Sequence, residues 1–299
     1  QWSLDELDDI LKMLDIKIEV FFFESEASAP GKEIVKELIE CGLAEDERPI
    51  GGPVIVKIDE KLGLKKEKYR TGVILRSDGT TLYLTKDLAL AKQKFEKYHV
   101  DRSIYVVDSR QSLHLQQAFK ILELWGFPQA SKCHHLAYGV VTLPEGAMSS
   151  RKGNVVYFTD VAEEAYRRVQ AIIVEKNPEL SEEQRSDVAR KVGLGALVYA
   201  MLEVDNLRDI VFKWEEVLNF DGKTAPYIQN AYVRANSILK KAGNVHPSSA
   251  SFDYPLTQHE VELIDLLSRF PATVQLAAQE YKPLHMASYA YELAKTFHS

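Results

Sequence analysis

Ser103-Ile104-Tyr105-Val106-Val107-Asp108-Ser109-Arg110-Gln111-Ser112-Leu113-His114-Leu115-Gln116 passes from a β-branched apolar run straight into an amphipathic one. Residues 103–107 predict a buried strand, 113–124 a helix and 136–141 a second strand. A helix between two strands is the crossover that parallel pairing needs, because a tight hairpin cannot return the chain in the same direction. Upstream, 87–97 reads as a helix, and strand-like 73–75 and 82–84 flank Ser77-Asp78-Gly79-Thr80, a hairpin signal. Ligands of parallel sheets sit beyond the carboxyl ends of the strands. Here those ends are Leu84-Thr85-Lys86-Asp87, Val107-Asp108-Ser109-Arg110-Gln111 and Val141-Thr142-Leu143.

Outward from this centre, Ser3-Leu4-Asp5-Glu6 has the capping-box pattern before a helix that carries Leu7, Leu11 and Leu14. Alternating Ile16, Ile18, Val20 and Phe22 predict a strand, 33–41 a short helix closed by Gly42, and 53–58 another strand. Beyond about residue 160 the strand patterns cease. Helices are expected at 161–174, 182–204, 227–241, 258–270 and 284–297, with Thr257-Gln258-His259-Glu260 as a capping box and 243–255 as a loop. The fold class is α/β and then all-α, and a length of 299 residues accommodates about two domains.

Composition narrows the function classes. With 45% apolar and 27% charged residues the chain is globular, which excludes collagen-like and wholly disordered proteins. The longest hydrophobic interior stretch without a charge, 192–202, is far short of the ~20 residues that cross a bilayer. Cys41 and Cys133 form no CxxC pattern and fit a reducing compartment. Net charge is −7, but unevenly placed: residues 1–222 hold 30 basic and 38 acidic groups, residues 223–299 hold 7 and 6. A local basic stripe on the second part is therefore compatible with an RNA partner.

Four stretches have chemical content. Ala147-Met148-Ser149-Ser150-Arg151-Lys152-Gly153-Asn154 follows a predicted parallel strand. Hydroxyls and backbone N–H groups bond phosphate oxygens, and Arg151 and Lys152 neutralise polyphosphate charge. Composition alone allows a solvated turn equally well, and GxxxxGK[ST] is absent. At Tyr83-Leu84-Thr85-Lys86-Asp87 a carboxylate beside a phenol suits an ammonium or guanidinium. Spacing alone favours Asp87 as a helix cap. Gln111 and His114 lie at the next strand-to-helix junction, and His114, His134 and His135 admit a nucleotide contact, proton transfer or an ordinary junction role. No Cys/His cluster has metal-ligand spacing. Tyr227, Tyr232 and Arg234 fall near one another on one helix, as a base-stacking surface or as an aromatic core stripe.

Together these stretches resemble the arginyl-tRNA synthetases, a class I family. The resemblance rests on five blocks in the family's order. They are Ser77 to Thr80 leading into Tyr83 to Asp87; Tyr105 to Gln111 with His114, Gln116 and Gln117; His135 with Tyr138 and Gly139; Met148 to Gly153; and Thr224 to Arg234. It implies the second half of a Rossmann-like class I synthetase catalytic domain over 1–222, Rossmann-like to about 158 with connecting helices after it. A helical-bundle anticodon-binding domain, truncated, follows at 223–299. The implied reaction is ATP-dependent activation of L-arginine to arginyl-adenylate, then transfer to the 3′ end of tRNA(Arg). Mg²⁺ accompanies ATP and the protein holds no metal. By position Tyr83, Asp87 and Gln111 match the arginine-binding residues, and His114, His135 and Met148 the ATP side. Met148, Ser149, Ser150, Arg151 and Lys152 match the signature loop that stabilises the transferring α-phosphate. Tyr227, Tyr232 and Arg234 match the tRNA side. A cytoplasmic monomer free of membrane is implied.

Ala147 stands where many class I enzymes have the loop's first lysine, a lysine that arginyl-tRNA synthetases often lack, supplying a cation elsewhere. The other ATP signature, His-x-Gly-His, is absent around all eight histidines, and so are the family's opening strand and its arginine-holding asparagine and glutamate. The chain opens Gln1-Trp2 and stops within the amphipathic Ala294-Lys295-Thr296-Phe297, so a segment of a longer protein is expected. The alternative is a non-catalytic relative that binds tRNA or a partner protein.

Overall fold

The structure, a computed structural model, describes residues 2–142, 157–219, 222–243 and 253–299. Their contacts divide into two units, 18–138 and a second one made of 1–17 with 139–299. The chain begins with α1 (Trp2–Met13), so Ser3 lies inside the helix rather than capping it. The alternating stretch after it forms no strand. Ile16, Ile18 and Val20 are exposed, because β propensity yields a strand only where a neighbouring strand pairs with it.

Unit 18–138 runs α2 (Glu24–Glu40), β1 (Glu45–Asp46), β2 (Val54–Lys57), α3 (Ile58–Lys61), β3 (Thr71–Leu75), α4 (Tyr83–Tyr98), β4 (Ser103–Asp108), α5 (Ser112–Leu124) and β5 (Cys133–Tyr138). Strands β1-β2-β3 form an antiparallel sheet. β4 and β5 pair in parallel, from Ser103 opposite Cys133 to Asp108 opposite Tyr138, with α5 as the expected crossover. Ile34, Val35 and Leu38 of α2, Val54 and Val56 of β2, Leu84 and Leu88 of α4 and Ile121 of α5 share one core. α2 starts at Glu24, well before its predicted start, and Gly42 ends it at φ +73°, a backbone state that costs glycine nothing.

The predicted strand 82–84 is corrected. One isolated bridge joins Leu75 to Thr81, and the chain is already helical from Tyr83. Leu84, Leu88, Ala91 and Phe95 recur at helical spacing on the buried face of α4, and that burial outweighs the short β-like run. Thr85, fully buried, satisfies its hydroxyl by donating to the Ile74 carbonyl.

Asp59 organises the loop before β3. Its carboxylate accepts the backbone N–H groups of Lys68 (3.0 Å), Tyr69 (2.8 Å) and Arg70 (2.8 Å), and Arg70 takes φ +61°. Desolvation raises the Asp59 pKa, but the three N–H donors outweigh it and hold the group below the usual aspartate range. A folded pKa below the unfolded one contributes stability above ~pH 3.9 and loses it as pH falls through the folded value. Urea midpoints measured between pH 6 and 2 should therefore fall more steeply at the acid end for the parent than for Asp59→Asn. Parallel acid limbs would remove Asp59 from this role.

The other unit continues with β6 (Val141–Thr142), α6 (Phe158–Lys176), α7 (Glu182–Leu202), β7 (Ile210–Val211), α8 (Trp214–Val217), α9 (Ala225–Ala242), α10 (Gln258–Ser268), α11 (Phe270–Glu280) and α12 (Leu284–His298). β6 and β7 are parallel, so a strand does follow residue 160. Small residues Ala165, Ala189 and Ala196 let α6 and α7 pack closely. The expected helix 258–270 is α10, which ends at Ser268, and a further helix that the sequence did not announce, α11, follows from Phe270. Pro271, at the second position of α11, has no N–H to continue the hydrogen-bond ladder of α10. Thr257 caps α10 as expected, accepting from Glu260 N while the Glu260 carboxylate accepts from Thr257 N. Gly139, before β6, is pressed against the 205–209 loop. Its N–H donates to Asn206 O (2.7 Å), Val140 N donates to Asp209 Oδ1 (2.7 Å), and Asn206 Nδ2 donates to Tyr281 O (2.8 Å). No helix of the described residues is long and apolar enough to cross a membrane.

Candidate active site

In unit 18–138 two helix starts converge. α4 presents Tyr83 and, one turn later, Asp87. The carboxyl end of β4 leads through a single 3₁₀ turn (Ser109–Gln111) into α5, which presents His114 in its first turn. Asp108 caps that turn. It accepts the Arg110 backbone N–H (2.7 Å) and pairs with the Arg110 guanidinium, which holds its pKa below the aspartate range. Capping fixes where α5 starts, and so where Gln111 and His114 stand.

Asp87 and His114 meet: Nε2 lies 2.6 Å from Oδ2, with both side chains 28% exposed. The carboxylate is an acceptor, so the proton of this bond sits on Nε2. Asp87 is thus a second-turn helix residue whose carboxylate is turned to α5, not the cap of α4, whose N-cap is Leu82. Tyr83 is 70% exposed, with the Lys86 ammonium 5.6 Å from its ring centroid, and Lys86 is paired to Glu24. Gln111 is exposed at the junction. His135, on β5, has Nε2 2.9 Å from the Val107 carbonyl, to which it donates.

Helix α4 also carries a polar group that the sequence motifs do not include. Lys94, two turns after Asp87 on α4, sets its Nζ 4.1 Å from the centroid of the buried Tyr105 ring. Burial lowers the Lys94 pKa, against the opposing pull of Asp87, and burial raises those of Tyr105 and Cys133. The seven-residue interval from Asp87 to Lys94 is the signal that places them on one helix face. Desolvated charges of this kind cluster at functional sites.

Among the other predicted residues, Met148, Ser149, Ser150, Arg151 and Lys152 lie outside the described residues. In the other unit, the grouping of Tyr227, Tyr232 and Arg234 is corrected in part. Tyr227 packs on Tyr291 and His298, and Arg234 bonds the His298 ring. Tyr232, 69% exposed, lies instead on an apolar groove with Ile228, Leu267 and Phe297. Five residues after Tyr227 it has turned to a different face of α9. Among the described residues no group of three or more His, Cys, Asp or Glu forms a metal site.

Residues 3–214 match the family model of tRNA synthetases class I (R), catalytic domain, and 228–299 match that of the DALR anticodon binding domain. The chain is 37% identical over 300 residues to an arginine–tRNA ligase of Bdellovibrio bacteriovorus and 36% identical over 295 residues to that of Halothermothrix orenii. Each alignment covers 99% of this chain and 50% of the relative, so the chain spans about half the length of the curated relatives it matches. Among solved structures it is similar to Thermus thermophilus arginyl-tRNA synthetase, with TM-score 0.82, 30% identity, and 96% of this chain and 53% of that one covered. Mycobacterium tuberculosis methionyl-tRNA synthetase shares the fold at TM-score 0.62 and 12% identity, covering 98% of this chain and 68% of that one.

Proposed function

The chain belongs to the arginyl-tRNA synthetases of class I, and from that membership we propose that it carries part of an arginine–tRNA ligase. In this reading an arginine carboxylate oxygen attacks the α-phosphorus of ATP and pyrophosphate leaves. The 3′-terminal ribose hydroxyl of tRNA(Arg) then attacks the arginyl carbonyl and AMP leaves. Asp87, with Tyr83 and Gln111 at the same helix starts, receives the guanidinium. Met148 to Lys152 and His135 serve the nucleotide, and Mg²⁺ arrives as its complex with the ATP phosphates. Tyr227, Tyr232 and Arg234 serve the tRNA, in a protein that acts as a cytoplasmic monomer. Catalysis of this kind is positioning and charge stabilisation, with no covalent enzyme intermediate.

The observation that carries the reading is the half-buried Asp87 carboxylate, held by His114 beside the carboxyl end of β4. A planar guanidinium matches such a carboxylate through two parallel N–H donors. The test is charging of tRNA with labelled arginine, by this chain alone and by the full protein its gene encodes. Charging by the full protein is expected, with this chain alone inactive. Retained tRNA binding without charging by either would favour a non-catalytic relative.

A further inference from the structure

We propose that His114 is a positioning residue for substrate arginine rather than a contact of the nucleotide. It donates its Nε2–H to Asp87 Oδ2 and so fixes the plane of the carboxylate that receives the guanidinium. The proposal rests on the assignment of Asp87 to arginine.

Three features support it. First, the imidazole nitrogen on the α4 side is already engaged, at 2.6 Å. Second, the engagement leaves Asp87 able to work. An ionised carboxylate has about four lone-pair sites, one goes to His114, and a bidentate guanidinium needs two. Third, the partner of Asp87 is set by the fold: Asp87 is in the second turn of α4 and His114 in the first turn of α5, two helices that share a core. An aspartate side chain has two rotatable bonds, and holding it in one rotamer before substrate arrives removes an ordering cost from binding. A fixed plane benefits a planar fork of donors far more than it would a point-like ammonium.

The experiment is a double-mutant cycle in the full-length protein, with arginine KM, ATP KM and kcat read by ATP–pyrophosphate exchange in the presence of tRNA. His114→Ala should raise the arginine KM about 10-fold, the scale of one charge-assisted hydrogen bond, with ATP KM within about twofold of the parent. His114→Phe, which keeps ring volume without the donor, should do the same and covers the case in which alanine impairs folding. His114→Gln, whose amide can place an N–H near the Nε2 position, should bring the arginine KM back to within about threefold. In an Asp87→Asn background, His114→Ala should add less than about twofold, because residues that act through each other are non-additive. A rise in ATP KM in place of arginine KM, or fully multiplicative effects of the two substitutions, would overturn the proposal. If Asp87→Asn itself leaves the arginine KM unchanged, it is the assignment of Asp87 that fails, and the proposal falls with it.

Discussion

Asp87→Asn in the full-length protein is expected to raise the KM for arginine about 100-fold and leave the KM for ATP nearly unchanged. Asparagine keeps the shape of the side chain, so the fold survives, but its neutral amide no longer gives His114 a carboxylate to orient. What is lost is the negative charge and one of the two acceptors that a guanidinium fork requires. Hydrogen bonds to charged groups reach ~3 kcal/mol, which at ~1.4 kcal/mol per decade is about two orders of magnitude. Screening is limited because the carboxylate is only 28% exposed. Steady-state exchange kinetics with varied arginine at saturating ATP measure it, and a change of less than threefold would take Asp87 out of the arginine pocket. An equal rise in both KM values would point to general disturbance of the site.

Gly139→Ala carries the second large expectation, a loss of stability of about 3–5 kcal/mol in the unit that contains β6. A Cβ at this position would stand 2.5 Å from the Arg208 carbonyl oxygen and 2.8 Å from Asp209 N. Both are backbone atoms and cannot swing aside as a side-chain end does. Overpacking by a single methyl costs 1–3 kcal/mol where the surroundings resist. Parting the two segments also weakens the Gly139–Asn206 and Val140–Asp209 hydrogen bonds, each worth about 1 kcal/mol or more. Against a typical total of 5–15 kcal/mol this is a large fraction. Denaturant unfolding of the parent and the variant would show it as a lowered midpoint with unchanged slope. A midpoint within 0.5 kcal/mol of the parent would mean that the 205–209 loop can move away freely.

Much of this protein was legible before any coordinates. The β4–α5–β5 crossover, the helices α6, α7, α9, α10 and α12 and the α10 capping box all rest on signals contained within one or two turns of chain, a change of period, a cap or a run of β-branched residues, whereas α8 and α11 were not foreseen. The five blocks that resemble the arginyl-tRNA synthetases are likewise linear, and the family match agrees with them. The errors fell where local signals were ambiguous or lacked a partner. Ile16 to Phe22 alternates like a strand but has no strand beside it, and 82–84 is apolar enough for a strand until burial of Leu84, Leu88 and Ala91 draws it into α4.

At the site, the sequence by itself determined which residue types stand at the strand-to-helix junctions: Tyr83, Asp87, Gln111 and His114, and the charge each can present. Only the tertiary structure decided which of them touch. Asp87 and His114 are 27 residues apart, and Val140 and Asp209 are 69 apart. Periodicity says which face of a helix a residue occupies, but not which face of which other helix comes to meet it. That is settled by how α4 and α5 pack Leu84, Leu88, Ile121 and their neighbours into one core. Packing of apolar groups that touch no substrate therefore turned a list of polar residues into a carboxylate with a fixed direction.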